Sequence, residues 1–285
     1  MVSINSKILK KLDEWLQSEG LLPEYAELYR RMLQIQTDME LRIPTPQPTL
    51  SQAEVADRLR QGTPLLEWQA LSLDWSVLQD LFQETAAVAG EYHKDAAEDF
   101  QSLKSVALDT SFLQEATRAW YDGQPLSPLA ATCSVSDELL AALVHSAVKP
   151  FLTAHSEALI RLVDQEQWRR GYCPICGGKP DLAFLDREAG ARWLLCSRCD
   201  AQWLFQRLQC PYCDTRDQDA LAYLTDGDGF YRLYVCEKCR SYLKAIDLRR
   251  TEEEILLSLE RVLTVDMDRQ GREAGYEAGW AATTP

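Results

Sequence analysis

At 285 residues the chain is long enough for two or three packed units, each with its own core. Its 46% hydrophobic and 26% charged content is that of an ordinary globular protein. The formal net charge of −14 sets it against nucleic acid phosphates and anionic membranes, so a partner is expected to be a protein or a cationic surface.

The opening "MVSINSKILKKLDEWLQSEG" places Lys7, Lys10, Lys11 and Asp13 among its apolar residues and lacks the unbroken run of a signal peptide. No stretch approaches the roughly 18 apolar residues that span a bilayer, so no membrane insertion is expected. A cytoplasmic location follows as an expectation, and thiols there stay reduced. Ile8, Leu9, Leu12, Trp15 and Leu16 then repeat at helical spacing and predict a first helix. A second is predicted over 24–40, with Pro23 suited to its first turn. "RIPTPQPTLS", residues 42–51, carries three prolines and reads as an extended linker or surface arm. Helical patterns resume near 52–61, 74–90, 95–104 and 108–121, and a long one covers 137–169, where Pro150 is expected to kink or divide it.

At Gly171 the period changes. Eight of the nine cysteines fall between 173 and 239, in an internal repeat. One copy runs from Cys173 to Trp203, the other from Cys210 to Tyr242. Each opens C-P-x-C, continues through a strand-like stretch ("DLAFLD", "ALAYLT") and a polar turn, and ends in a second strand ("RWLLC", "FYRLYVC") that delivers another C-x-x-C. After about Leu248 the chain returns to helix at "TEEEILLSLERVLTVDMDRQ", where Thr251 and Glu254 stand in capping-box relation. From Gly275 the tail is expected to fray.

A tetrahedral metal ion needs four donors at about 2.3 Å, and a reduced protein supplies them as thiolates. A C-x-x-C turn points both sulfurs into one hollow, and two such turns close a cage. The spacing predicts two four-cysteine metal sites: Cys173, Cys176, Cys196 and Cys199, then Cys210, Cys213, Cys236 and Cys239. Redox dithiols and a cross-paired cage are the competing readings. Gly177 permits the positive φ that the turn requires, and Pro174 and Pro211 stiffen their loops. Iron of the rubredoxin type and zinc both accept this ligand set. With every position filled by protein, hydrolytic metal catalysis is not expected.

Residues 172–250 hold 12 Lys and Arg against 11 Asp and Glu, which leaves no basic stripe for nucleic acid. Cys133 reads as a packed structural cysteine, and His93, His145 and His155 as scattered histidines without ligand partners. "TDGDGF", residues 225–230, reads as a hairpin turn rather than a calcium loop, because the closing glutamate is absent. Trp193, Trp203, Tyr212, Tyr223, Phe230, Tyr231, Tyr234 and Tyr242 are expected to shield the cysteine sites, with a few available as a protein-binding surface. No enzyme motif appears, and the chain is expected not to be an enzyme.

The string "YCPICGGKP…RWLLCSRCDAQW…RLQCPYCD…VCEKCRSYLKAIDL" resembles the cysteine region of the formate dehydrogenase accessory proteins, the FdhE family. The specific likeness covers about Tyr172 to Tyr276, including the tail "MDRQGREAGY". The resemblance implies an α+β chain: an N-terminal all-α domain, two rubredoxin-like or zinc-ribbon metal modules carried by the eight cysteines, and a C-terminal helix packed back on the body. On that basis residues 1–170 form the α-helical domain, 171–209 and 210–250 the two modules, and 251–285 the helix and tail. It further implies a cytoplasmic maturation factor, with iron as metal, that binds the catalytic subunit of a molybdenum- or tungsten-dependent formate dehydrogenase. A zinc-ribbon adaptor between proteins and a C-x-x-C thiol oxidoreductase are the alternatives.

Overall fold

The computed structural model describes residues 4–17, 23–92, 100, 103, 106–225 and 227–280. The chain divides into two compact units, Met1–Pro46 with Trp68–Ala154, and Gln47–Glu67 with His155–Pro285.

The first unit is helical. Helices α1 (Ile4–Gln17), α2 (Pro23–Met39), α4 (Trp75–Tyr92), α5 (Thr110–Tyr121), α6 (Ser127–Thr132) and most of α7 (Asp137–Leu159) belong to it. Ile8 and Leu12 of the first apolar stripe are fully buried, as the period predicts. Leu78, Leu81 and Phe82 of α4 and Val148, Phe151 and Leu152 of α7 are likewise sealed from solvent. Pro150 does not divide its helix: α7 continues through it to Leu159. A proline forfeits one ladder hydrogen bond, and burial of Val148, Phe151 and Leu152 around it offsets that loss. Past Leu159 a short 3₁₀ turn, Ile160–Leu162, ends the segment well before residue 169. The helix expected over 95–104 falls largely outside the described residues, as does His93.

The second unit begins in the chain before the cysteines. Helix α3 (Gln52–Gln61) opens with a capping box: Glu54 N donates to Ser51 Oγ at 3.3 Å and Ser51 N to Glu54 Oε2 at 2.8 Å. It closes on Gly62 at φ 77°. Strands β1 (Pro180–Leu185), β2 (Arg192–Cys196), β3 (Gln202–Phe205), β4 (Leu221–Thr225), β5 (Tyr231–Cys236) and β6 (Ser241–Asp247) include the four stretches predicted as strands. β4 and β5 pair antiparallel across residues 226–230, of which 226 lies outside the described residues. With β7 (Glu277–Ala278) the described strands make one sheet of order β3-β2-β1-β6-β5-β4, β7 pairing with β6. The two copies of the repeat therefore share a sheet, joined where β1 of the first lies parallel to β6 of the second.

Two expectations at the C-terminus are corrected. Residues 251–256 are not helical. Thr251 Oγ1 accepts from Glu253 N at 3.1 Å, a local turn in place of a capping box. The non-helical stretch lets Ile255 pack, with Leu257, against Leu182, Phe184, Leu195 and Ile246 of the sheet. Helix then comes in two pieces, α8 (Leu257–Leu263) and α9 (Val265–Glu273). The tail does not fray at Gly275. That residue turns at φ 81°, residues 277–278 add to the sheet, and Trp280 meets Tyr242 edge-on at 5.5 Å. Burial of these rings gives the tail a reason to stay docked.

Candidate metal centres

Each C-x-x-C pair ends in one backbone device. The residue after the second cysteine has left-handed φ: Gly177 at 73°, Asp200 at 57°, Asp214 at 57° and Arg240 at 54°. This bend brings the chain back under the sulfurs. Cys173 N donates to Gly178 O at 2.8 Å, Cys196 N to Ala201 O at 2.9 Å and Cys210 N to Thr215 O at 2.9 Å. Amides inside the turns point at sulfur, Ile175 N to Cys173 Sγ at 3.3 Å and Arg198 N to Cys196 Sγ at 3.4 Å. Only Gly177 announces its conformation in the sequence. Asp and Arg reach it because Asp tolerates the region and the sheet fixes the rest.

The sulfurs converge in two groups of four. In the first, Cys173–Cys199, Cys176–Cys196 and Cys176–Cys199 are 3.6, 3.5 and 3.4 Å apart. In the second, Cys210–Cys239 and Cys213–Cys236 are both 3.7 Å apart. Within each group all four Sγ atoms lie inside 4.8 Å of one another. A tetrahedron with metal–sulfur bonds of about 2.3 Å has edges of about 3.8 Å, so either group could hold an ion with little movement. A disulfide needs about 2.05 Å, which none of these pairs approaches. Each group draws on one copy of the repeat.

Electrostatics favours a cation in both. Burial pushes the Cys173 and Cys199 thiols well up, pushes Cys210 up, and raises Cys213 to about 11. Hydrogen bonds from its neighbouring thiols hold Cys176 well down, and, against burial, bonds from Ser241 and the thiols hold Cys239 down. Four thiolates in one buried hollow repel one another and lack water; a divalent ion supplies the missing charge. The two sites differ in access. All four cysteines of the first are buried, whereas Cys213 and Cys239 of the second are half-buried.

Residues outside the repeat hold these turns. Leu65 N donates to Pro174 O at 2.8 Å and Leu66 N to Ile175 O at 2.9 Å, so the segment after α3 runs along the first C-P-x-C turn. Arg261 of α8 forms ion pairs with Asp181 of β1, at 2.8 Å, and with Asp200, and donates to Cys196 O at 2.6 Å. Burial works against its charge, but the two aspartates hold its pKa above the ordinary range. Lys244, within the "RSYLKAIDL" that follows the last C-x-x-C, is 3% exposed and bonds Asp268 at 2.7 Å and Arg261 O at 3.1 Å. It thereby neutralises carbonyls at the end of α8. Nothing in the sequence singled these residues out, since a buried Lys or Arg gives no periodic signal.

The other candidates stay apart from both groups. Cys133 is buried, its Sγ 3.5 Å from the Leu129 and Ala130 carbonyls. His145 stacks on Trp120 at 5.3 Å, and His155 is buried. Of the aromatic set, Trp193 packs against Phe184, and Trp203 donates from Nε1 to Arg170 O at 2.9 Å. Tyr212, Tyr223 and Tyr234 line a cleft beside the second group.

A helical unit, and a sheet unit carrying two four-cysteine groups that could each hold a metal ion, define an α+β chain. The model of the FdhE central domain matches residues 172–207, the first copy of the repeat. The FdhE homolog of Aquifex aeolicus is 28% identical over 239 residues, 80% of this chain and 76% of the relative. The homolog of Pseudomonas aeruginosa is 30% identical over 152 residues, 47% of this chain and 48% of its own. Over the whole length, the fold is that of the crystal structure of the FdhE protein from Pseudomonas aeruginosa, with TM-score 0.66 and 20% identity, covering 99% of this chain and 96% of that one. In sequence and in fold the chain is similar to FdhE proteins.

Proposed function

We propose that this protein is a cytoplasmic accessory factor for a molybdenum- or tungsten-dependent formate dehydrogenase. It binds the catalytic subunit of that enzyme and is needed for its activity. Similarity to the FdhE homolog of Aquifex aeolicus over 80% of the chain is the observation that carries this reading. The protein is a binding factor and not itself an enzyme: both candidate sites offer four protein sulfurs, and a cage so filled leaves no position for water or substrate.

In this reading the eight cysteines hold two ions, one per rubredoxin-like module, and the ions fix the two ends of the sheet as a rigid recognition surface. Iron follows from the family resemblance. A red protein with rubredoxin-like absorption supports it, and a colourless, zinc-loaded protein would replace iron by zinc. Cys173→Ala and Cys210→Ala should each remove one equivalent of bound metal; unchanged metal content in both variants would refute the assignment of the sites.

Affinity capture of the tagged, full-length protein from its native host tests the client. The expected result is retention of a formate dehydrogenase catalytic subunit, together with loss of formate oxidation on deletion. No such subunit in the eluate, with formate oxidation intact after deletion, would sink the reading.

A further inference from the structure

Beside the second cysteine group lies a cleft of about 230 Å³, lined among others by Arg192, Arg207, Arg232, Leu208, Tyr223 and Tyr234. Among the described residues no aspartate or glutamate lines it, on a chain that carries 44 acidic residues against 30 basic ones. Arg192 is 3% exposed. Its guanidinium donates to the carbonyls of Gln206 and Gln209, its Nε has no hydrogen-bond partner, and no carboxylate among the described residues pairs with it. Arg232 is matched by Asp247, at 2.5 Å. Arg207 is exposed and reaches the Gly190 carbonyl at 3.5 Å. A divalent ion in four thiolates leaves two negative charges, which Arg192 beside Cys210 offsets in part. Arg207 pairs with no carboxylate among the described residues.

The same cleft opens onto a strand edge that no described strand pairs with. β4 is last in the sheet order, and Leu221, Ala222 and Tyr223 both form that edge and line the cleft. Glu237 N donates to Ala220 O at 2.9 Å, which fixes the antiparallel alternation so that Tyr223 turns its backbone N–H and C=O outward. Tyr223 and Leu224 are 50% and 53% exposed. The repeat shows what such an edge accepts: β1, the counterpart of β4, takes β6 as a parallel neighbour. At the opposite end of the sheet, Leu204 N of β3 donates to Gln165 Oε1 at 3.0 Å. An open, partly apolar edge invites strand addition.

The geometry points to a docking site for an acidic, extended segment of a partner protein, which adds as a strand to β4 and seats a carboxylate among Arg192, Arg207 and Arg232. The apolar side chains of Leu208 and Tyr223 take a neighbouring aliphatic or aromatic residue, which an inorganic oxyanion would leave unused. The site stands on the cleft and the edge whichever protein supplies the segment, so it goes beyond the client named above.

The test pans a displayed library of random ten-residue peptides on the metal-loaded, full-length protein. Enriched peptides should carry Asp or Glu next to apolar residues and no excess of Lys or Arg. Synthetic copies should bind about tenfold more weakly to Arg207→Glu and to Leu208→Asp, as expected for loss of one charge-assisted contact or one apolar anchor. Both positions are exposed, and an unchanged unfolding midpoint shows that the variants remain folded. Absence of acidic enrichment overturns the proposal, as does equal binding by Arg207→Glu. So do full competition by inorganic phosphate, which means a small-oxyanion site, and a peptide-sensitive dimer in sedimentation, which means that a second copy occupies the edge. Failure to capture a formate dehydrogenase leaves this result untouched, so the two readings fall separately.

Discussion

Four left-handed residues decide whether the sulfurs meet. Gly177 holds φ 73°, while Asp200 and Asp214 occupy the same position in their turns. A β-branched residue forced into that region loses about 1–2 kcal/mol. Gly177→Val is therefore expected to lower the stability of the metal-loaded protein in urea by about that amount, and Gly177→Asp by less, because the second and third turns already use Asp. Equal losses would mean that crowding matters more than φ, since a β-carbon at Gly177 would stand 3.3 Å from Pro64 Cγ. A second residue-scale device is Asp247, fully buried at the end of β6. Hydrogen bonds from Arg249, then the charge of Arg232, hold its carboxyl below the ordinary range despite burial. A depressed carboxylate pKa stabilises the fold above the unfolded value of about 4 and loses that contribution as pH falls through the folded one. Asp247→Asn should flatten the acid limb of stability below about pH 4, measured as unfolding free energy against pH. An unchanged slope would mean that other carboxylates carry the acid limb.

At the scale of elements, α8 is held to the first cysteine copy by Arg261, with Ser258 Oγ donating to Asp200 Oδ2 at 3.3 Å beside it. Arg261 joins Asp181 of β1, Asp200 of the second turn and the Cys196 carbonyl. Breaking a buried ion pair from one side leaves charges without compensation and costs about 3–5 kcal/mol. Arg261→Ala should therefore destabilise the protein by about 3 kcal/mol in denaturant unfolding. Combining Arg261→Met with Asp181→Asn and Asp200→Asn should recover most of the loss, since all three charges then leave together. Failure of the triple variant to recover would assign the cost to packing rather than charge. In the segment 251–256 the balance runs the other way. Its capping-box letters are present, yet Ile255 and Leu257 have apolar surface to bury on the sheet, and burial outweighs a local cap worth about 1 kcal/mol.

For the whole molecule, if both cysteine groups are loaded as proposed, their unequal access sets the order of metal loss. The first is sealed, with Cys173, Cys196 and Cys199 at 0% exposure, while Cys213 and Cys239 of the second are half-buried. A chelator should therefore remove one equivalent of metal quickly and the other slowly. Cys210→Ala should abolish the fast phase and Cys173→Ala the slow one, followed by metal release to a chromophoric chelator. A single phase in the unmodified protein would contradict the difference in access. Because both groups sit in one sheet, removal of the slow equivalent is also expected to cost the unit much of its stability.

The sequence by itself determined the chemistry. Four C-x-x-C pairs at repeating distances, two in each strand-containing copy, mark the two groups of four sulfurs that the fold brings together, because tight turns and short strand-like runs are short-range properties. The apolar stripe of α1 and the proline-rich break after α2 were legible for the same reason. What only the tertiary structure decided involves residues far apart in the chain. The parallel junction of β1 with β6 fuses the copies, residues 65–66 lie along the first turn, and Arg261 and Lys244 are buried with their partners. None of these leaves a periodic trace, since a buried cation is written with the same letter as an exposed one and its partner can come from any element. The edge of β4 belongs to that class too: among the described strands, β4 is last in the sheet.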